Sequence, residues 1–527
     1  MSNTNLSTFK SLYANLAQST YTDRPRSFSK YQNAKSFRRI NYGSDLIDKN
    51  GNVLTKGGQN LPNNGVFYLQ PDKTVEAVTF GEHYKENGIN LDWLKGYPPF
   101  DKKISEPLYK RGLLIDEAKG YNAYFLTDTK ELSQETEKAY LAIRGSDGIS
   151  LSSANDWINN LEFTVSDAYI EQAKLNKEAI KSKLAEMDKK APNATLDLTA
   201  HSLGTMIAVQ SVANLSEKEL EKIENVVLFN GPDATESLKK MGLTQDQIDK
   251  VGEKTTYYLN PFDAVSMLNR DKPYSEQLGT VNVIVPLHYN TTFESPSSHD
   301  FGEYQIDDMG NILIASEDFH PELLEAGRKT ALLDKKYLQI LKERGYNDDI
   351  GQDLVNFLYN LEDRKLIDEF KKEAEAIAEE ARLASIAWDK EHIPLYQEQI
   401  KTATGGQKII LRVQLLHSAA QLALFETEDK VEHLNGLIED YKNQIDDKIK
   451  ETHTEARNIA LYLSSTEVGN LLNSFQMFHL WDNETENSTR QSAQNFKKNI
   501  EDFSTKVVEA SYRIEEVDAE NANLFSQ

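Results

Sequence analysis

Three side chains far apart in the sequence have the types and the order needed to attack a carbonyl carbon: Ser202, Asp263 and His299. Ser202 lies in Ala200-His201-Ser202-Leu203-Gly204, between the alternating apolar run Leu196-Asp197-Leu198 and a second apolar stretch reaching Leu215. A serine on a sharp strand-to-helix turn exposes its hydroxyl to substrate and sits beside unpaired N–H groups at the helix start. The hydroxyl needs a base to take its proton, and the base needs a carboxylate to hold its tautomer and stabilise its charged form. Asp263 follows the run Thr255-Thr256-Tyr257-Tyr258-Leu259-Asn260-Pro261, where an orienting carboxylate past a strand end belongs, and His299 follows in the loop after the next run.

Each residue also has a plainer reading. Ser202 could be an ordinary turn serine, Asp263 could cap a helix starting at Ala264, and His299 could bond its serine-rich loop. His288 is the rival base and Asp233 the rival acid, while His201 is expected to pack inside the turn and point away.

The elements that must position these groups are legible as short β-like runs at 138–145, 194–200, 225–231, 255–261 and 280–287. Between them fall helical patterns, including 169–190 and the stretch after Ser202, and this alternation predicts an α/β fold. Residues 1–330 hold 20 of the 26 glycines and 13 of the 14 prolines, so turns concentrate there. Beyond them the pattern becomes long, charged helices. Ile367, Phe370, Ala374, Ile377 and Ala381 step by three and four. So do Leu434, Leu437, Tyr441 and Ile445, and Phe496, Ile500, Phe503, Val507, Ala510, Ile514 and Val517. Such spacing lines one helix face. The predicted organisation is an α/β domain at 1–325 followed by elongated all-α helical hairpins at 326–527, with a turn at Gly405-Gly406. The helix faces serve either self-packing or a partner seam.

Bulk properties narrow the function classes. The 527 residues carry a net charge of −24, which repels nucleic-acid phosphates and anionic lipid surfaces at long range. No nucleic-acid partner is expected, and transient contact with a membrane surface needs a local apolar or basic patch. The chain has no cysteine, which excludes disulfides, thiolate metal sites and cysteine nucleophiles. No stretch approaches the roughly 18 apolar residues of a membrane span. The first residues lack the apolar core of a secretory leader. The expectation is a soluble chain made in the cytoplasm, needing no metal or organic cofactor.

Several motifs together carry a resemblance. LAIRGSDG and NDWINNLEF within 141–163, the AHSLG turn, FNGP at 229–232, NPFDAV at 260–265 and His299 ahead of DDMGN resemble, in order, the class 3 lipases. The likeness covers roughly residues 60–325. Ala200 in place of the usual glycine and FNGPD in place of GxP are departures that remove no reacting group. The resemblance implies an α/β-hydrolase fold, lipid carboxylic esters as substrates, and an acyl-enzyme formed on Ser202 with His299 as base and Asp263 as its orienter. It also implies an oxyanion hole from the backbone N–H groups of Ser146 and Leu203, with Arg144 and Asp156 bracing the loop and Trp157 packing or lining the acyl groove. Phospholipid and neutral glyceride both remain open, as does a lid at 164–192.

The helical half resembles the LXG-like targeting domains of Gram-positive type VII secretion, placed after a lipase as in the lipase effectors of that pathway. Leu434-Asn435-Gly436 reads L-x-G, Tyr512 and Glu516 fit Y-x-x-x-E, and Phe425 with Asp429 fits F-x-x-x-D. The resemblance implies a secreted lipase or phospholipase A acting as an effector or toxin, exported without a signal peptide, whose helices bind small WXG-like helical accessory proteins and the type VII machinery. The competing expectations are a soluble esterase or thioesterase for small acyl compounds, and a non-catalytic binding protein on a hydrolase fold.

Overall fold

The alternation of apolar residues in Lys138–Ile143 decides the architecture, because its two faces are both covered. Ala139, Leu141 and Ile143 enter one buried cluster, and Tyr140 and Ala142 enter another. A strand covered on both sides reads as a nearly continuous apolar run and belongs at the centre of a sheet. The computed structural model describes residues 11–21, 37–41, 66–97, 100–145, 170–305, 312–344 and 361–524. They divide into two compact units, Met1–Leu383 and Ala384–Gln527.

In the first unit the strands are β1 (Arg38–Asn41), β2 (Val66–Leu69), β3 (Glu76–Thr79), β4 (Pro107–Arg111), β5 (Ile115–Asp116), β6 (Tyr121–Thr127), β7 (Lys138–Ile143), β8 (Thr195–His201), β9 (Ile223–Phe229), β10 (Thr255–Leu259) and β11 (Thr280–Val283). They form one mixed sheet of order β11-β10-β9-β8-β7-β6-β5-β4-β3, with β2 also pairing β6 and β1 pairing β2. The pairs from β7 to β11 are parallel, and those from β6 outward to β3 are antiparallel. The β-like runs expected from the sequence fall on β7 to β11. The last is shorter than expected, because the chain passes from β11 into an isolated bridge between Ile284 and Ile314 and then meets Pro286.

Helices Glu171–Lys190 and Gly204–Ala213 cover one face of the sheet through residues such as Ile180, Leu184, Val209 and Val212. The other face is covered by helix α1 (Leu12–Ser19), whose Leu12 and Leu16 pack with Tyr124, Leu126 and Tyr140. Nothing in the sequence pattern had singled out α1. Eight residues are too few for helical periodicity to stand out, and its partners lie over a hundred residues away.

The predicted domain boundary at 325/326 and the division between units at Leu383/Ala384 differ. Helix Pro321–Glu343 and the residues from Leu361 onward bury Leu333, Tyr337, Leu366, Ile367 and Phe370 against Ala264 and Leu268. Their charged outer faces look like a separate helical region, while their apolar faces complete the α/β core beside Asp263. Ile367, Phe370, Ala374 and Ala381 are all buried.

In the second unit, Gly405–Ile459 and Asn483–Leu524 are long helices packed side by side, consistent with the expected all-α architecture. Arg490 bonds Asn435 and Glu439, and the Ser504 hydroxyl donates to the Ala420 carbonyl. The helix break falls at residues 403–404, and Gly405 has a left-handed φ of 57° that suits glycine. Among the described residues no helix is long and apolar enough to cross a membrane.

Candidate active site

Ser202 leaves the end of β8 with φ 57°, a left-handed conformation that a non-glycine residue rarely adopts. Its backbone N–H bonds the Phe229 carbonyl on β9 at 3.0 Å, and helix Gly204–Ala213 starts two residues later. The strained strand–turn–helix expected of a nucleophile is therefore present. Gly204 is required by a close approach: a Cβ there would lie 3.0 Å from both the Gly145 nitrogen and the Ile143 carbonyl. Ala200 causes no conflict, because it is still within β8, paired with Ile143 and Leu228.

Asp263 and His299 are brought together. The imidazole Nδ1 donates to Asp263 Oδ2 at 2.8 Å, and both residues are buried. Asp263 is also the N-cap of helix Ala264–Met267, accepting from the N–H groups of Val265 and Ser266. The Ser266 and Thr292 hydroxyls donate to it as well. One carboxylate both caps the helix and bonds His299, since two oxygens offer enough lone pairs for both. Burial pushes the Asp263 pKa up, but the His299 charge and these hydrogen bonds outweigh it and hold the group below its ordinary value. Burial likewise pushes His299 down, and the Asp263 charge and hydrogen bond overcome that and raise it. With Nδ1 committed to Asp263, Nε2 bonds no group among the described residues. No hydrogen bond joins it to Ser202 Oγ among them either. Such contacts are often long without substrate and tighten when it binds.

The rivals are engaged elsewhere. His288 Nδ1 faces Glu303 at 3.1 Å, and Asp233 accepts from the Thr235 hydroxyl at 2.9 Å and the Leu278 N–H at 3.3 Å.

His201 does more than the packing expected of it. Its Nε2 donates to the His299 carbonyl at 2.8 Å, and its ring lies against those of His299 and Phe301, with centroids 4.6 Å from each. Burial, then the His299 charge, push its pKa down to about 3, so it is a neutral donor. Asn230 Nδ2 donates to the same carbonyl at 3.1 Å, and its Oδ1 accepts from the Tyr304 hydroxyl at 2.6 Å. The histidine backbone is thus fixed from β8 and from the end of β9.

Tyr21, just beyond α1, was not foreseen. Its hydroxyl donates to the His201 carbonyl at 2.9 Å and accepts the Gly145 N–H at 3.0 Å, tying the turn to the end of β7. Arg144 donates to the Tyr21 carbonyl at 3.1 Å. The Asn-Gly at 230–231 was a usable signal for a special backbone position, and Asn230 has φ 45°. Tyr21 gave none.

Of the expected oxyanion donors, Leu203 is buried at the start of the helix, and its N–H bonds no group among the described residues. Ser146, Asp156 and Trp157 lie outside the described residues, as do 164–169 of the segment considered as a lid; the rest of that segment is mostly helix Glu171–Lys190, packed on the sheet. Tyr512 and Glu516 lie one turn apart in Asn483–Leu524, with side chains outside the described ones.

Residues 145–271 match the cutinase family. The matched stretch contains the Ser202 turn and Asp263 and stops short of His299. No curated protein matches the chain. A cutinase-type domain is an α/β-hydrolase, and the match supports a lipid-ester hydrolase domain in this part of the chain.

Proposed function

We propose that this protein is a lipase of the phospholipase A type whose reaction is carried by Ser202, His299 and Asp263. The observation that supports this most is the buried 2.8 Å bond from His299 to Asp263, with the His299 backbone held by the residue preceding Ser202. Ser202 Oγ attacks the ester carbonyl while His299 Nε2 takes its proton. Asp263 stabilises the resulting imidazolium. The oxyanion is met by the N–H of Leu203 and that of Ser146. Collapse breaks the ester C–O bond as His299 returns its proton to the leaving alcohol. Water, deprotonated by His299, then releases the fatty acid and restores Ser202.

The reading extends to export through the type VII pathway, with small helical accessory proteins covering the second unit. Its support is the exposure of Leu437, Tyr441, Phe496 and Phe503 at helical spacing on the two long helices. Coexpression with the small helical proteins encoded beside it is expected to slow hydrogen exchange around Phe496 and Phe503; unchanged exchange would remove this extension.

The enzymatic reading is tested on phosphatidylcholine vesicles, with mass spectrometry of the products and Ser202→Ala as control. Fatty acid and lysolipid from the parent protein alone support it. Turnover of short soluble esters with none of vesicle lipid returns the small-ester reading, and silence on every ester returns the non-catalytic one.

A further inference from the structure

A second surface bears on how an acidic protein reaches lipid. Between β3 and β4 the chain leaves the sheet and forms an arm with helix Phe80–Glu86, a single turn at Asp92–Leu94 and helix Phe100–Ile104. Strand register gives its direction. Ala200 on β8 is level with Ile143 and Ala123, so Tyr121 is level with Ser202, and Asp116 and Arg111 continue that row. From Arg111, β4 runs back to Pro107, which pairs with Thr79. At about 3.3 Å per residue, this carries the base of the arm about 13 Å past the row of Ser202, on the side where the nucleophile emerges.

The arm is built to hold a shape. The Arg111 guanidinium bonds both oxygens of Glu86 at 3.0 and 2.9 Å, and Thr79 and Glu82 form a reciprocal cap. Gly81 sits so close to Ile104 that a Cβ would lie 2.5 Å from its side chain. The Phe100 N–H bonds the Tyr97 carbonyl at 2.8 Å. Yet Trp93 is 71 % exposed, Tyr97 64 % and Phe100 49 %, with Ile89 and Leu108 also exposed. Large apolar groups held in water by an ordered scaffold mark a contact surface. Trp and Tyr combine an apolar ring with a polar edge, which suits the headgroup level of a bilayer. Residues 76–111 carry six Lys and Arg against six Asp and Glu, in a chain whose net charge is −24. The arm is therefore a region without the electrostatic repulsion from a lipid surface that the chain as a whole carries.

We propose that this arm is a lipid-surface anchor, whose Trp93, Tyr97 and Phe100 enter the interfacial layer of a zwitterionic bilayer on the Ser202 side of the sheet. The proposal rests on the lipid-ester reading for its purpose, but its test does not depend on turnover.

The full-length protein and a Trp93→Ala/Tyr97→Ala/Phe100→Ala variant are compared by sedimentation with vesicles of ether-linked phosphatidylcholine, which has no ester to cleave. Loss of three interfacial aromatics is expected to lower partitioning on the order of tenfold or more, with short soluble ester turnover unchanged. In a second measurement, vesicles are expected to shift the parent's tryptophan emission to the blue, and Trp93→Phe to remove most of that shift. Equal partitioning of parent and variant, or no partitioning by the parent, overturns the anchor. So does a parent dimer that the triple substitution dissociates without any vesicle binding, which makes the face an interface between copies. If the parent partitions through these residues but frees no fatty acid from ester-linked vesicles, the anchor stands and the lipid-ester reading fails.

Discussion

The surroundings of His299 and the long helices of the second unit use side chains in opposite ways. At His299, the imidazole is bonded by Asp263, and its carbonyl by His201 and Asn230, contacts that span 36, 98 and 69 positions. Along Gly405–Ile459 and Asn483–Leu524 the backbone is satisfied within each helix, and Tyr441 and Phe503 remain more than half exposed. One region exchanges sequence-distant hydrogen bonds for fixed geometry. The other is periodic, locally satisfied and left with apolar surface to offer. Chemistry that fails when a group moves by an ångström requires the first arrangement, and recognition along a helix face is served by the second.

The sharpest way to break this contrast is at the carboxylate. Asp263→Asn keeps the shape and removes the charge, and turnover of a short ester is expected to fall about 10⁴-fold. The sign of its pH dependence follows from the pair. As the proposed base His299 must be neutral to act, so parent activity should fall as pH drops through its raised pKa. In Asp263→Asn the raising charge is gone and burial remains, which moves that limb to lower pH. The same pair bears on stability. The part due to His299 is full below the unfolded value of about 6.5 and is lost as pH rises through the raised folded value. The part due to Asp263 is present above about 3.9 and is lost as pH falls through its depressed value. Thermal melts of parent and variant across that range measure both.

A smaller effect is expected at His201. His201→Phe keeps a ring against His299 and Phe301 but deletes the donor to the His299 carbonyl. The rate constant kcat should drop on the order of 10²-fold with KM for a short ester unchanged, the signature of a displaced base. A loss confined to KM would reduce His201 to packing. The smallest effect on catalysis is expected in the helical unit. Phe425 is 1 % exposed, and Phe425→Ala should destabilise that unit by about 3 kcal/mol. Hydrogen exchange at 405–459 should quicken, while short-ester turnover stays within about twofold of the parent, the level expected of a site built in a separate unit. A fall in turnover matching the loss of stability would couple the two regions and blur the comparison.

Much of this was legible from residue order. The alternation at 138–143 and 195–201, the small residues around Ser202 and the sequence of Ser202, Asp263 and His299 led to the α/β fold, the sharp turn and the bonded acid–histidine pair. Periodic stepping likewise led to the long helices. These are local signals, set by side-chain direction along one strand or one helix. The choice of His299 over His288 was not local: Glu303 binds one and Asp263 the other, and only packing distributes those carboxylates. Nor were Tyr21 and Asn230 as supports, the cover supplied by Pro321–Glu343, or the direction of the arm carrying Trp93. Sequence by itself determined which groups could react and which elements could carry them. Tertiary structure decided their partners, because a hydrogen bond spanning a hundred residues leaves no periodic trace in the chain.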